Sequence, residues 1–489
     1  MQTIVIHPDD NVAVALEELQ PGPVGNYTLR ESIPRGHKFA IKPISRGEQV
    51  IKYGLPIGTA TTDIQAGSHV HIHNLRTNLS GQLSYEYSGA PPKNVCKDEG
   101  LTFQGFLRKD GTTGIRNHLF IVPTVGCINK LAEHLAAAMN RRLPVGCDPV
   151  LALTHPYGCS QLGHDHEMTR AILAGLVKHP NAAGVLVLGL GCENNTVDSF
   201  KKLLGDYDEN RIRFLVAQQC DDDFQASMEI LQELAHNAVS FQRTQLPLSR
   251  LIVGLKCGGS DGLSGITANA LVGRFSDRLV ANGGSTILGE VPEMFGAETL
   301  LMARAASKEV FEKCVTMING FKEYFTRHDQ VIYENPSPGN KAGGISTLED
   351  KSLGCTQKAG SANVADVLQA GEHPCRQGLN LISGPGNDMV ATTLLSASGA
   401  HLVLFTTGRG TPFGGIVPTI KIASNTPLAL RKKQWIDFNA GRLVEDGADS
   451  RKIDEEFFNL VMDVASGKPA QNERFAYQEI AIFKDGVTL

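Results

Sequence analysis

Gly184-Val185-Leu186-Val187-Leu188-Gly189-Leu190-Gly191-Cys192 decides how the rest of the chain reads. A short apolar run that ends in glycine and opens into the polar Glu193-Asn194-Asn195 reads as a buried strand delivering a loop to one edge of a sheet. The same order of events recurs along the chain. Residues 119–124 lead into Val125-Gly126-Cys127, 150–154 into Tyr157-Gly158-Cys159, and 251–255 into Lys256-Cys257. Further strands are expected at 213–217 and 402–407, with helices at 130–140, 168–178 and 224–235. Apolar runs alternating with amphipathic stretches from about Phe103 onward predict βα units and mostly parallel sheets.

Upstream the pattern differs. Residues 3–7, 36–41, 49–52 and 68–74 are short β-branched runs, and one helical pattern, 11–19, interrupts them. A small β-rich module is expected there. Residues 84–94 (SYEYSGAPPKN) read as an extended, solvated connection. At 489 residues the chain exceeds what one core supports, since cores stop growing near ~250–300 residues. The expected division is 1–90, 91–245 and 246–489: a β-rich module, then two α/β lobes parted near Gln245, just ahead of the strand at Leu251.

Composition narrows the function. A net charge of −5 without a Lys/Arg run gives no basic field for phosphates, which argues against nucleic acid as a partner. No stretch of 18 apolar residues occurs, and Met1-Gln2-Thr3-Ile4 opens no signal peptide, so a cytoplasmic protein without membrane contact is expected. Ten cysteines in that setting read as thiols or ligands rather than a disulfide framework.

On a strand, His69, His71 and His73 would share one face, with Val70 and Ile72 on the other. Such imidazoles suit Fe²⁺, Mn²⁺ or Zn²⁺, or they are a solvated face that happens to carry histidine. Cys127, Cys159, Cys192 and Cys257 all follow strands, where open α/β sheets bind ligands. They could hold a mononuclear ion or an iron–sulfur cluster, or simply pack as small residues. His155 and His164 are candidate general acids or bases. Polar loops follow at Ser260-Asp261, and Lys341 and Arg409 are cations within glycine-rich loops, suited to a carboxylate or hydroxylated substrate. The Gly189 turn resembles a dinucleotide-binding fingerprint, but Asn194 occupies the third glycine position, which demotes NAD.

Read together, these segments resemble the altronate and galactarate dehydratases and the related sulfolactate sulfo-lyases. The resemblance rests on His7-Pro8-Asp9-Asp10-Asn11-Val12-Ala13-Val14-Ala15, Ile33-Pro34-Arg35-Gly36-His37-Lys38 and His71-Ile72-His73-Asn74. It continues through Arg108, Asp110, Gly111, Gly114, Arg116 and Asn117, then residues 155–159, Gly191-Cys192-Glu193, Cys257-Gly258-Gly259-Ser260-Asp261 and residues 339–358. Residues 406–415, 435–441 and 481–489 are most similar to the altronate-acting members, with galactarate as the alternative substrate. Where many relatives carry Met-Asp-x-Pro-Gly, this chain has Ile382-Ser383-Gly384-Pro385-Gly386 and so lacks that acid.

The resemblance implies an N-terminal SAF module of the β-clip kind before a large α/β catalytic region. It also implies Fe²⁺, with Mn²⁺ as a substitute, and a 2-keto-3-deoxy sugar acid as product. Dehydrating a 2,3-dihydroxy acid means removing the C2 proton, stabilising an enediolate and protonating the C3 hydroxyl. For these tasks the expected residues are His155, His164 and Asp261 as catalytic groups, and Arg116, Asn117, Ser260, Lys341 and Arg409 on the substrate. His71, His73 and the four cysteines are the expected metal ligands. The expected partner is a small sugar acid, with assembly into a homo-oligomer left open.

Overall fold

The computed structural model describes residues 2–89, 97 and 99–489. The N-terminal module is built from short antiparallel strands. One sheet runs in the order Thr3–Ile4, Val12–Ala15, Lys38–Ala40, His69–Val70, and another joins Gln49–Lys52, Leu55–Ala60 and Leu75–Arg76. The helix expected at 11–19 is a strand instead. All four residues of Val12–Ala15 are buried, because Ala13 and Ala15 face the module's own core while Val14 packs on Leu263 of the large region. A strand covered on both faces loses the alternation that marks a strand in sequence. The expected connection does not run through solvent at its start. Tyr85 and Tyr87 pack on the main core, and the Tyr85 hydroxyl donates to Glu298 at 2.6 Å. The rest of that connection, with the boundary placed at residue 90, lies outside the described residues.

Two α/β units follow, each with an all-parallel sheet. The first is ordered Val150–Ala152, His118–Pro123, Ala182–Gly189, Ile212–Val216. Helices Asn129–Asn140 and Asp223–Val239 pack together, as do Gly163–Lys178 and Val197–Leu204. The second sheet has seven strands: Val364–Leu368, Gly378–Ile382, Ser285–Leu288, Ile252–Cys257, Leu402–Thr407, Thr419–Ala423 and Phe438–Asn439. A small antiparallel sheet brackets the first unit where the chain enters and leaves it. There Thr102–Leu107 pairs with Thr113–Gly114 and with Arg243–Pro247, so Gln245 sits within a strand.

The two units share one apolar layer, in which Val122, Leu173 and Val187 of the first meet Leu394, Val403 and Phe405 of the second. Close approach there depends on Gly175, where a Cβ would stand 2.2 Å from the Ala397 carbonyl oxygen. The chain ends by returning to the first unit: Leu489 N–H donates to the Ser160 carbonyl at 2.9 Å, and Asp165 accepts from the amides of Asp485 and Gly486. No helix among the described residues is long and apolar enough to cross a membrane.

Candidate functional site

The carboxyl ends of the seven-stranded sheet carry a cluster of buried ionisable groups. The Ile252–Cys257 strand ends on Lys256 and Cys257, both fully buried. The neighbouring Ser285–Leu288 strand runs into Glu290, whose φ of 71° is left-handed, and a 3-10 turn that ends on Glu293. Holding a non-glycine residue there costs of order 1–3 kcal/mol, a strain that tends to persist at functional sites. The Leu348–Cys355 helix adds Lys351 and Cys355, and the turn after it adds Lys358.

These groups interlock. Cys257 Sγ lies 2.9 Å from Glu293 Oε2 and 3.3 Å from Cys355 Sγ, which is itself 3.1 Å from the same carboxylate oxygen. Lys351 holds the other oxygen of Glu293 at 2.8 Å. Lys256 is paired with Glu290 and, at 3.0 Å, with Asp388, while Lys358 reaches Glu290 at 3.3 Å. Burial alone would raise the Glu293 carboxyl, but Lys351, Lys256 and Lys358 outweigh it and hold the group well below the usual carboxylate range. Its hydrogen bond to Cys257, reinforced by burial, pushes the Cys355 thiol up. Among the described residues Cys257, Glu293 and Cys355 are the group whose ligand atoms all lie within 4.8 Å of one another. Two thiols and a carboxylate are a donor set suited to a borderline divalent ion such as Fe²⁺ or Zn²⁺.

Over the cluster opens a cavity of about 430 Å³, lined by Cys257, Gly258, Glu293, Asn340, Lys351 and Asp388. Lys351 is aimed by three acceptors, since beyond Glu293 it donates to Asn335 Oδ1 at 3.1 Å and Asn340 Oδ1 at 3.3 Å. Asp388, at the start of the Asp388–Ala397 helix, is the most open of these carboxylates, with 38% of its side chain exposed. A larger chamber of about 670 Å³, lined by His164, Lys313, Arg327, Ser383 and Asp485, shares the Phe321, Tyr324 and Pro385 wall.

Of the residues expected from sequence, Cys257 stands at the centre of this cluster and His164 lines the adjoining chamber. Ser260 is buried nearby, its carbonyl accepting from Asn340 Nδ2 at 2.8 Å. Lys341 lies in the short helix Pro338–Ala342 and Arg409 in the loop after the Leu402–Thr407 strand, and among the described residues neither side chain makes an ion pair. Several expectations give way to structural roles. Arg116 spends all five N–H donors inside the protein, on both oxygens of Glu473 and on the carbonyls of Ile115, Val464 and Lys468. Asn117 is likewise committed, accepting from Arg108 and donating to the carbonyls of Gly146 and Ala238. His155 is buried, with Nε2 on the Pro123 carbonyl at 2.8 Å and Nδ1 accepting from Tyr157 N–H, and burial lowers its pKa. Asp261 staples its own loop to Ser264, Ser424 and Asn425.

The histidine strand is shorter than expected. His69–Val70 is extended, but Asn74 then closes a turn on His71, so Val70 is buried while Ile72 is 54% exposed. The rings nevertheless gather, with His37 added: His37 Nδ1 and His69 Nε2 are 3.0 Å apart, and His69 and His71 stack at 5.5 Å. They grip the short Pro338–Ala342 helix beside the cavity, His71 donating to the Lys341 carbonyl at 3.0 Å and His37 to that of Ala342 at 3.3 Å. Burial, with the neighbouring imidazoles and Lys38, lowers the pKa of His69 to about 3, and burial with Lys38 and His37 lowers that of His71 to about 4. Cys127, Cys159 and Cys192 are exposed on loops of the other sheet.

Sequence reading missed Cys355, Glu290, Glu293, Lys256, Lys351, Lys358 and Asp388. The signal for three of them was present: Lys351, Cys355 and Lys358 recur at intervals that share a helix face, but apart from their partners they look like an ordinary amphipathic turn. The turn at Gly189 is closed to a dinucleotide by its own side chain, because Glu193 accepts from the amides of Leu190 and Gly191 that a pyrophosphate would need.

Three family models cover nearly the whole chain. The Altronate/galactarate dehydratase SAF domain matches residues 1–78, the D-galactarate dehydratase/Altronate hydrolase second domain 105–239, and the D-galactarate/Altronate dehydratase C-terminal model 248–488. The chain is 53% identical to the altronate dehydratase of Bacillus subtilis (strain 168), over 99% of each chain, and 54% identical to that of Escherichia coli (strain K12), over the full length of both. It is 34% identical to the galactarate dehydratase (L-threo-forming) of Escherichia coli (strain K12), over 95% of this chain and 93% of the relative.

Proposed function

Because the chain belongs to the altronate and galactarate dehydratase family, we infer that it is a hydro-lyase that converts D-altronate to 2-dehydro-3-deoxy-D-gluconate and water, a step of hexuronate (galacturonate) catabolism. The observation that carries the assignment of the site is the buried Cys257, Glu293 and Cys355 group beneath a cavity that carries Asn340, Lys351 and Asp388 and is large enough for a six-carbon acid. These three residues would hold the Fe²⁺ or Mn²⁺ that the family resemblance implies. When bound there, the ion supplies a Lewis acid for charge developing on the substrate carboxylate.

The chain's own residues account for the remaining work. Lys351, its three N–H donors spent on Glu293, Asn335 and Asn340, acts on the substrate carboxylate as a fixed positive charge in the cavity wall and lowers the cost of charge on the enediolate. Asp388 is paired with Lys256 at 3.0 Å and lines the cavity, which suits it to accept the C2 proton. Loss of the C3 hydroxyl with a proton gives the enol, which tautomerises to the keto acid. His164, in the adjoining chamber, is the imidazole to test as the donor of that proton.

The test is anaerobic incubation of the protein with Fe²⁺ and altronate, or galactarate in parallel, followed by an assay for 2-keto-3-deoxy acid. Turnover of altronate is expected, with Asp388→Asn at least about 100-fold slower, as loss of a general base typically costs. Turnover of galactarate alone would move the substrate to the alternative, and a fully active Asp388→Asn enzyme would remove the base from this cavity.

A further inference from the structure

Cys127, Cys159 and Cys192 take no part in the cavity above, yet their surroundings are built as a site. They follow the carboxyl ends of three adjacent parallel strands, Val150–Ala152, His118–Pro123 and Ala182–Gly189. The central strand leads to helix Asn129–Asn140 and its neighbour to Val197–Leu204, and these helices belong to the two different packed pairs of this unit. Adjacent strands whose helices diverge leave a crevice at their carboxyl ends, where such sheets bind ligands.

The three loops are tied together by side-chain amides. Asn129, beyond Cys127, donates to the His155 carbonyl of the second loop at 2.9 Å; Asn195, beyond Cys192, donates to the Thr124 carbonyl of the first at 3.3 Å. Gln161, beyond Cys159, accepts from Gly158 N–H at 3.2 Å. Backbone bonds add Gly126 N–H to the Tyr157 carbonyl at 2.8 Å and Asn195 N–H to that of Gly158 at 3.0 Å. Gly158 has φ +99°, and a Cβ there would strike the Thr124 oxygen at 1.9 Å, so the second loop lies directly on the first.

The same three amides each leave one buried polar atom without a partner among the described residues: Asn129 Oδ1, Gln161 Nε2 and Asn195 Oδ1. Gln161 and Asn195 are 3% and 0% exposed. Unsatisfied buried polar atoms are costly and rare: Gln161 Nε2 is a donor that a sulfide can accept from, and the two amide oxygens call for the O–H donors that a water or hydroxide bound with such a group supplies. The sulfurs do not all fall within 4.8 Å of one another, as those around a single ion would. Strands spaced about 4.8 Å apart put the outer two loops roughly 10 Å apart at their roots, which suits a polynuclear group.

We propose that Cys127, Cys159 and Cys192 bind one cubane iron–sulfur cluster at the crevice of the four-stranded sheet. Binding a preformed thiolate-ligated cluster exchanges three of its terminal thiolates for the three cysteine sulfurs; the departing thiolates take up the three cysteine protons, and no iron changes oxidation state. Three protein ligands leave one iron open to a small oxygen ligand on the exposed side.

The test is anaerobic transfer of a preformed thiolate-ligated cubane cluster to the full-length chain, followed by desalting and visible absorbance, iron and acid-labile sulfide assays. Expected are a broad charge-transfer band and a gain of about four iron and four sulfide per chain over the starting protein. Cys127→Ala, Cys159→Ala and Cys192→Ala should each lose most of the band at unchanged circular dichroism, while Cys147→Ala and Cys220→Ala keep it. Cys257→Ala should also keep it, which separates this centre from the cavity site. No gain of acid-labile sulfide, or a band that survives in the triple variant, would overturn the proposal.

Discussion

Replacing Asp350 with asparagine should loosen the hold between the N-terminal module and the catalytic region by an amount that can be worked from the burial. Asp350 accepts from Lys38 and Lys52 of the module, each at 2.9 Å, and the three side chains are 1%, 1% and 3% exposed for Asp350, Lys38 and Lys52. Removing one member of a buried pair costs about 3–5 kcal/mol, mostly because the surviving charge is left without a partner. Two lysines share this carboxylate, so the two losses do not simply add. Lys38 also keeps its bond to the Gly344 carbonyl at 3.1 Å. The expected loss is therefore about 3–5 kcal/mol in total. With a urea slope of about 3 kcal/mol/M for a large unit, the first unfolding midpoint should fall by roughly 1–1.7 M. The triple variant Lys38→Met, Lys52→Met, Asp350→Leu removes all three charges and should recover most of that loss. An unchanged midpoint in Asp350→Asn, or a triple variant no better than the single one, would refute the reasoning.

Cys355→Ser and Glu293→Gln should each reduce bound Fe²⁺ at equilibrium by at least tenfold in anaerobic dialysis, since either takes a donor from the one group among the described residues compact enough for a single ion. Arg116→Lys should destabilise the fold by at least about 2 kcal/mol in urea yet leave KM for altronate unchanged, because all five guanidinium donors serve Glu473 and backbone carbonyls rather than the cavity. Acid should destabilise the protein well above the carboxylate range. Burial lowers the pKa of His401 to about 4, and of His179 and His155 below the ordinary 6.5. The unfolded chain therefore takes up protons as pH falls from 6.5 toward 4 while the native chain does not, and His401 alone accounts for about 3 kcal/mol lost across that window. A melting temperature flat between pH 7 and 4.5 would show that these rings titrate normally.

The repeated strand, glycine, cysteine pattern carried the α/β architecture because strands buried on both faces leave long apolar runs, and most of the expected strands lie within a residue or two of those observed. It failed at Val12–Ala15 for the same physical reason, since a second covered face erases alternation. The site was legible only in part. Cys257 stood out because it ends a strand, whereas Glu293, Lys351 and Cys355 come from turns and a helix whose meaning depends on groups far away in sequence. Arg116 and His155 had the opposite fate. Each has catalytic chemistry in the abstract, and only the count of hydrogen bonds reveals that the protein has used it up.

The N-terminal module bears on the cavity without lining it. Asp350 and Lys351 are consecutive residues of one helix, Leu348–Cys355, and they face opposite ways: Asp350 into the lysines of the module, Lys351 into Glu293 and the cavity. The same helix ends on Cys355. On the other side of Lys351 stands Asn340, whose neighbours Lys341 and Ala342 have their carbonyls held by His71 and His37. The module thus fixes both supports of the ammonium proposed to act on the substrate carboxylate, the Leu348–Cys355 helix through Asp350 and the Pro338–Ala342 helix through two imidazoles. Misplacing such a group by even 1 Å can cost about a hundredfold in rate. Asp350→Asn should therefore lower kcat/KM more than its loss of stability can explain, measured well below its unfolding midpoint, and His71→Ala should do the same from the Pro338–Ala342 side. If both variants keep wild-type kcat/KM, the module serves stability alone and Lys351 is positioned without it.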